Sequence, residues 1–167
     1  MSHYDHEAAV LSQQRQEKWD RRYLELAKHV STWSKDPSTK VGCVLVNDNR
    51  VIAVGYNGFP EHVADTDARL NEREVKYAMV VHAEMNCILS AGNKARGGAL
   101  YVYPSFMIPC ICADCCKNAI QAGIRKVVGY LPDESNPRVA RWKDSISHAK
   151  TMCDEAKIVY YGLPENG

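Results

Sequence analysis

The chain has 167 residues, a formal net charge of +1, and 46% hydrophobic against 25% charged residues. That length supports one hydrophobic core and so one domain, and the near-neutral charge excludes a basic face for duplex nucleic acid. No apolar run reaches the length of a membrane span, and the polar first twenty residues lack the apolar stretch of a secretory leader, so the expected location is the cytoplasm. Residues 1–15 read as a flexible arm and 16–167 as a single domain.

Trp19, Tyr23, Leu26, Val30 and Trp33 recur at alternating steps of four and three, one face of an amphipathic helix. Pro37 biases Asp36 away from helix and ends it. VGCVLV (41–46) and RVIAVGY (50–56) are apolar and β-branched, and the polar link 47–49 predicts a hairpin. Residues 57–75 read as a long polar loop, a length usually tied to function or disorder. VVHAEMNCILSAG (80–92) predicts a helix capped by Gly92, and ALYVY (99–103) a strand. CADCCKNAIQAGI (112–124) predicts a helix closed by Gly123, followed by strand KVVGY (126–130). A third helical stretch covers 138–155, and KIVYY (157–161) is the last strand. This alternation predicts an α/β fold, a three-layer α/β/α sandwich with a mixed five-stranded sheet.

Seven cysteines in a reducing compartment argue for metal or free thiols over disulfides. Cys43, Cys87 and Cys153 stand singly among apolar residues and read as buried small hydrophobes. Four others crowd together at 110, 112, 115 and 116. His82-Ala83-Glu84 and Cys112-Ala113-Asp114-Cys115 each open a predicted helix. One imidazole and two thiolates make a borderline-soft donor set suited to Zn2+, and three protein ligands leave the fourth position open, as in catalytic zinc sites. Helix N-termini favour the thiolate forms. Glu84 is placed to take a proton from water and return it to a substrate. Two other readings of the cysteines stay open here: a redox pair, and a closed structural zinc site.

The pairing of His-x-Glu with Cys-x-x-Cys is the pattern of zinc deaminases. The chain resembles the deoxycytidylate (dCMP) deaminase family of the cytidine-deaminase-like superfamily, over about residues 19–155. SKDPSTKVGCVLV (34–46), GYNGFP (55–60), DTDARLNEREVKY (65–77), VVHAE (80–84) and CCKNAIQAGI (115–124) carry the resemblance in the family's order. It implies hydrolysis of dCMP to dUMP in the supply of dTMP, with His82, Cys112 and Cys115 holding zinc, Glu84 shuttling protons, and Asn57 and Ala83 binding substrate. It implies a homohexamer regulated by dCTP and dTTP, Mg2+ accompanying the effector, with Gly55, Tyr56, Gly58, Arg73 and Lys76 as effector residues. Asn57-Gly58 is also a common turn dipeptide. Lys35, Ser38, Thr39 and Lys40, in the loop before the first strand, are candidate donors to the 5′-phosphate, although single surface cations are usually just solvated. The chain departs from the family at Ile111, where a proline normally precedes the first cysteine ligand. Pro109-Cys110 comes two residues earlier, in a lengthened link, PSFMIPCI (104–111). That departure bears on nucleotide selectivity and keeps two alternatives in view: a deaminase that also accepts dCTP, and a silent zinc or nucleotide-binding module.

Overall fold

Apolar alternation along the central strands builds the sheet. β1 (Gly42–Asn47) turns into β2 (Arg50–Tyr56) through Asp48 and Asn49, both with positive φ, as a two-residue hairpin loop requires. β3 (Ala99–Tyr103), β4 (Lys126–Tyr130) and β5 (Val159–Leu163) complete a five-stranded sheet in the order β2-β1-β3-β4-β5. β1 runs antiparallel to β2 and β3, while β3, β4 and β5 are mutually parallel, so the sheet is mixed as expected. The computed structural model describes residues 3–166.

Val44, Val46, Tyr101, Val128 and Tyr130 face one helix, α1 (His3–Ser31). Cys43, Leu45, Leu100, Val102 and Val127 face the opposite layer, formed by α4 (Ala83–Ala91), α5 (Ala113–Ala122) and α6 (Arg138–Glu155). The period-2 pattern thus divides one apolar run between two cores. Two glycines permit the closest approaches. A Cβ on Gly42 would lie 2.0 Å from the Ala27 carbonyl oxygen of α1, and one on Gly55 would lie 2.4 Å from that of Ala83.

The expected face of α1 is rotated. Trp19 and Trp33 are 43% and 48% exposed, whereas Asp20, Leu24, Ala27 and Ser31 are buried beside Tyr23 and Val30. Contact at Gly42 favours Ala27 and Ser31 on the inner face over the bulky tryptophans. The helix continues back to His3, with residues 4–16 exposed, through the segment expected as an arm. The long loop is a correction in part. Residues 67–79 form α2 (Asp67–Asn71) and α3 (Arg73–Met79), with the Thr66 side chain capping α2 by accepting from the Arg69 amide. Gly92 and Gly123 end α4 and α5 with positive φ, as expected. No helix among the described residues is long and apolar enough to cross a membrane.

Candidate active site

The N-termini of α4 and α5 meet. His82 is the N-cap of α4 and Cys112 the N-cap of α5, both in extended backbone conformation. Cys115 lies one turn further into α5. His82 Nδ1 is 3.4 Å from Cys112 Sγ and 3.4 Å from Cys115 Sγ. All three donor atoms lie within 4.8 Å of one another, in the one His/Cys/Asp/Glu cluster of this kind among the described residues. A tetrahedral zinc with ordinary Zn–N and Zn–S bonds sets N···S edges at about 3.6 Å, so the donor set fits Zn2+ in both chemistry and spacing. Among the described residues no fourth protein donor joins the cluster, which argues against the closed structural reading. Cys110 and Cys116 are buried packing residues, as are Cys43, Cys87 and Cys153.

The electrostatics belong to a proton-sharing cation site. Hydrogen bonding from Cys115, then from His82, pulls the Cys112 thiol down to about 4 against the cost of burial. The Cys112 hydrogen bond lifts His82 to about 9, opposed by burial. The neighbouring Cys112 sulfur and burial raise Cys115. Glu84, on the first turn of α4 and buried, is pushed up to about 7 by burial first and by the Cys112 charge second. A carboxyl near neutrality beside a metal-binding corner can both take and give a proton.

A cleft opens on this corner. Its walls include Asn57, Glu84, Phe106, Ile111, Arg141 and Trp142. Ala83 is fully buried at the start of α4 and lines it too. The Trp142 ring meets the His82 ring edge-on, with centroids 6.1 Å apart. Asn57 lies in the wall with its carboxamide already engaged: Oδ1 accepts from the Val41 amide at 2.8 Å, and Nδ2 donates to the Thr39 carbonyl at 2.9 Å. It therefore fixes the 34–41 loop and keeps one amide hydrogen to offer the cleft.

That loop carries the polar half of the cleft. Ser38 and Thr39 line it, and their amides donate to Asp36 Oδ1 at 2.8 and 3.0 Å. Lys76 is buried and pairs with Asp36 at 3.2 Å while donating to Ser38 Oγ at 3.3 Å. Lys76, expected among the effector residues, is thus a cleft residue, because α3 turns it inward. Arg141 lies over the Tyr77 ring at 4.7 Å and the Trp142 ring at 5.6 Å, and Arg73 lies 5.4 Å from the Tyr77 ring. Arg138 donates to the Ser38 carbonyl at 2.7 Å.

The remaining candidates lie elsewhere. Lys35 is exposed and pairs with Asp65 at 2.8 Å. Lys40 is exposed, donates to the Ser34 carbonyl, and is not in the cleft wall. Tyr56 and Gly58 line a second hollow with Lys35, Trp33 and Phe59. Gly55 lies buried against the α4 backbone and lines neither hollow. Sequence reasoning missed Asp36, Tyr77, Arg141 and Trp142, while Phe106 belongs to the 104–111 link expected to border the pocket. Only Asp36 had a signal: an Asp before Pro-Ser-Thr is a turn-forming carboxylate.

Comparison with known proteins agrees with this geometry. Residues 17–131 match the family described as the cytidine and deoxycytidylate deaminase zinc-binding region. A protein of Aliivibrio fischeri, an uncharacterized deaminase in the luxG 3' region, is 38% identical over 88% of this chain and 95% of its own length. A deoxycytidylate deaminase of Pongo abelii is 30% identical over 85% of this chain and 78% of its own. The crystal structure of dCMP deaminase from the cyanophage S-TIM5, in complex with dCMP and dUMP, superposes with a TM-score of 0.61 at 26% identity. It covers 78% of this chain and 89% of that one.

Proposed function

The chain belongs to the cytidine and deoxycytidylate deaminase family of zinc-binding hydrolytic deaminases, and from that premise we propose that it converts dCMP and water to dUMP and ammonia. The observation that carries this is the joining, in one cleft, of the three-donor corner, the buried Glu84 and a cationic wall. His82, Cys112 and Cys115 hold zinc, which when bound supplies a water made nucleophilic near neutral pH at its open position. Glu84 takes one proton of that water and gives it to N3 as the oxygen bonds to C4, then takes the second from the resulting C4 hydroxyl and gives it to the 4-amino nitrogen, so that C4=O forms as C4–N breaks, ammonia leaves and N3 keeps its hydrogen. Ala83 and Asn57 line the seat of the nucleoside, and Asn57 offers its remaining amide hydrogen to the sugar.

Arg141, Lys76 and Ser38 face the 5′-phosphate. Lys76 is countered by Asp36, so Arg141 brings the uncompensated positive charge. That balance suits one phosphate better than three and favours dCMP over dCTP. The silent-module reading has no use for a buried carboxylate beside the donors. The product dUMP is a precursor for dTMP. The hollow beside Tyr56 and Gly58 is the candidate seat for a dCTP or dTTP effector with its Mg2+, in a homohexamer located in the cytoplasm.

The experiment follows ammonia release from dCMP, dCTP, CMP and deoxycytidine by the zinc-loaded protein, with and without dCTP or dTTP. Fastest turnover of dCMP is expected. Absence of ammonia from every cytosine substrate would overturn the reading. Glu84→Ala should keep stoichiometric zinc and lower kcat by at least about 10²-fold, the contribution of a positioned acid–base group. Turnover at the parent rate would remove Glu84 from the mechanism.

A further inference from the structure

The matched family region ends at residue 131, before α6 begins at Arg138. Yet α6 touches the metal corner twice. Trp142 sets its ring edge against His82. Three residues later, on the same helix face, Ser145 Oγ accepts a hydrogen bond from the Ala113 amide at 2.9 Å.

The second contact matters because of what Cys112 does. A helix N-cap normally satisfies the free amides of the first turn with its own side chain. Here the cap is Cys112, whose sulfur accepts from the Cys115 amide of the first turn at 3.5 Å. That sulfur is also a metal donor. The Ala113 amide, directly after the ligand, must find its acceptor outside α5, and α6 provides it. Further along, Cys116 Sγ donates to the Ala149 carbonyl at 3.6 Å, so the same two helices are joined again one turn in.

We infer that Ser145 is a positioning residue for the metal centre: its hydroxyl, by holding the Ala113 amide, fixes the backbone rotation that aims Cys112 Sγ toward His82 and Cys115. This rests on the zinc reading above. Partners that orient ligands typically change metal affinity by about 10- to 100-fold when removed.

The test measures the zinc dissociation constant of the full-length protein by competition with a chromophoric chelator, for the parent and for Ser145→Ala, Ser145→Thr and Ser147→Ala. Ser145→Ala is expected to bind zinc about tenfold more weakly, with an altered thiolate-to-cobalt charge-transfer band in the Co2+ form. Ser145→Thr, which keeps the hydroxyl, and Ser147→Ala, exposed on the same helix, should both match the parent within about twofold, a margin well inside that range. Alanine is a strong helix former, so α6 should persist, which circular dichroism checks. In the parent, independently of any variant, the Ala113 amide should exchange with solvent more slowly than that of the exposed Asp114. Parent-like zinc affinity and cobalt spectrum in Ser145→Ala, equal loss in Ser145→Thr, or rapid exchange at Ala113 each overturn the inference. A parent that binds no zinc would instead sink the metal reading, and this inference with it.

Discussion

At the scale of the residue, the cleft turns on which charges are already compensated. Lys76 and Asp36 are both buried and in contact, and Asp36 also accepts two backbone amides. Such a pair is hard to break, because either partner left alone is an unpaired buried charge. Its net charge is near zero, and it holds the 34–41 loop in place more than it attracts an anion. Arg141 is different. It is exposed at the cleft wall, and burial first and Arg73 second press its proton affinity down, as expected for a cation beside another cation. Aromatic faces at Tyr77 and Trp142 hold the guanidinium without neutralising it. A hydrogen bond to a charged group is worth about 1.5–3 kcal/mol. Arg141→Ala should therefore raise KM for dCMP by about 10- to 100-fold, with a smaller effect on kcat. Deoxycytidine, which lacks the phosphate, should be turned over by parent and variant alike. An equal loss on both substrates would show that Arg141 acts on the fold or the base instead.

At the scale of the element, what was legible followed from the kind of signal each element carries. β1, β3 and β4 are buried on both faces, so their apolar runs stand out in the sequence, and Gly92 and Gly123 mark real helix ends. The metal corner was readable because a helix N-cap fixes ligand spacing within a few residues of sequence. α2 and α3 were not. They are short, and the inward residue of α3 is Lys76, so no hydrophobic period announces them. The α6 helix was visible, but its face was not, since Arg141, Trp142 and Ser145 acquire meaning only through contacts with Tyr77, His82 and Ala113. The inner face of α1 also depended on a distant residue. Gly42 has no side chain to push the helix away, and an added Cβ would collide with the Ala27 carbonyl and the Ser31 backbone. Those atoms are backbone and cannot rotate aside. Gly42→Ala should destabilise the protein by about 2 kcal/mol or more, at the upper end of overpacking costs, measured as a fall in the urea midpoint. A midpoint equal to the parent's would mean that α1 is less closely held than this packing requires.

At the scale of the whole molecule, one buried carboxylate links the first helix to the central strand β3 and the edge strand β5. Asp20 of α1 accepts from Tyr101 of β3 at 2.6 Å and from Tyr161 of β5 at 2.5 Å, and Lys126 of β4 lies 3.5 Å away. Its fourth neighbour, Gln16, belongs to α1 itself. Elements whose contacting residues are 81 and 141 positions apart are therefore joined by phenol protons. Burial first, and the adjacent Asp20 second, raise both phenols above the ordinary tyrosine range. Folded tyrosines then keep their protons at a pH where the same side chains in the unfolded chain lose theirs. The folded state binds more protons, so stability falls as pH rises. The contribution is complete below about pH 10, where an unfolded tyrosine begins to ionise, and it is lost progressively above that. The tyrosine share of the fall in the urea midpoint should thus set in near pH 10 and grow to about pH 11, on top of an earlier share from the buried Cys43 and Cys110 thiols, which burial also holds protonated. Tyr161→Phe removes one of the two protons, so it should lower the midpoint at pH 8 yet shallow the alkaline decline. If the variant's decline were as steep as the parent's, the alkaline sensitivity would lie elsewhere and Tyr161 would be bound to Asp20 only weakly in solution.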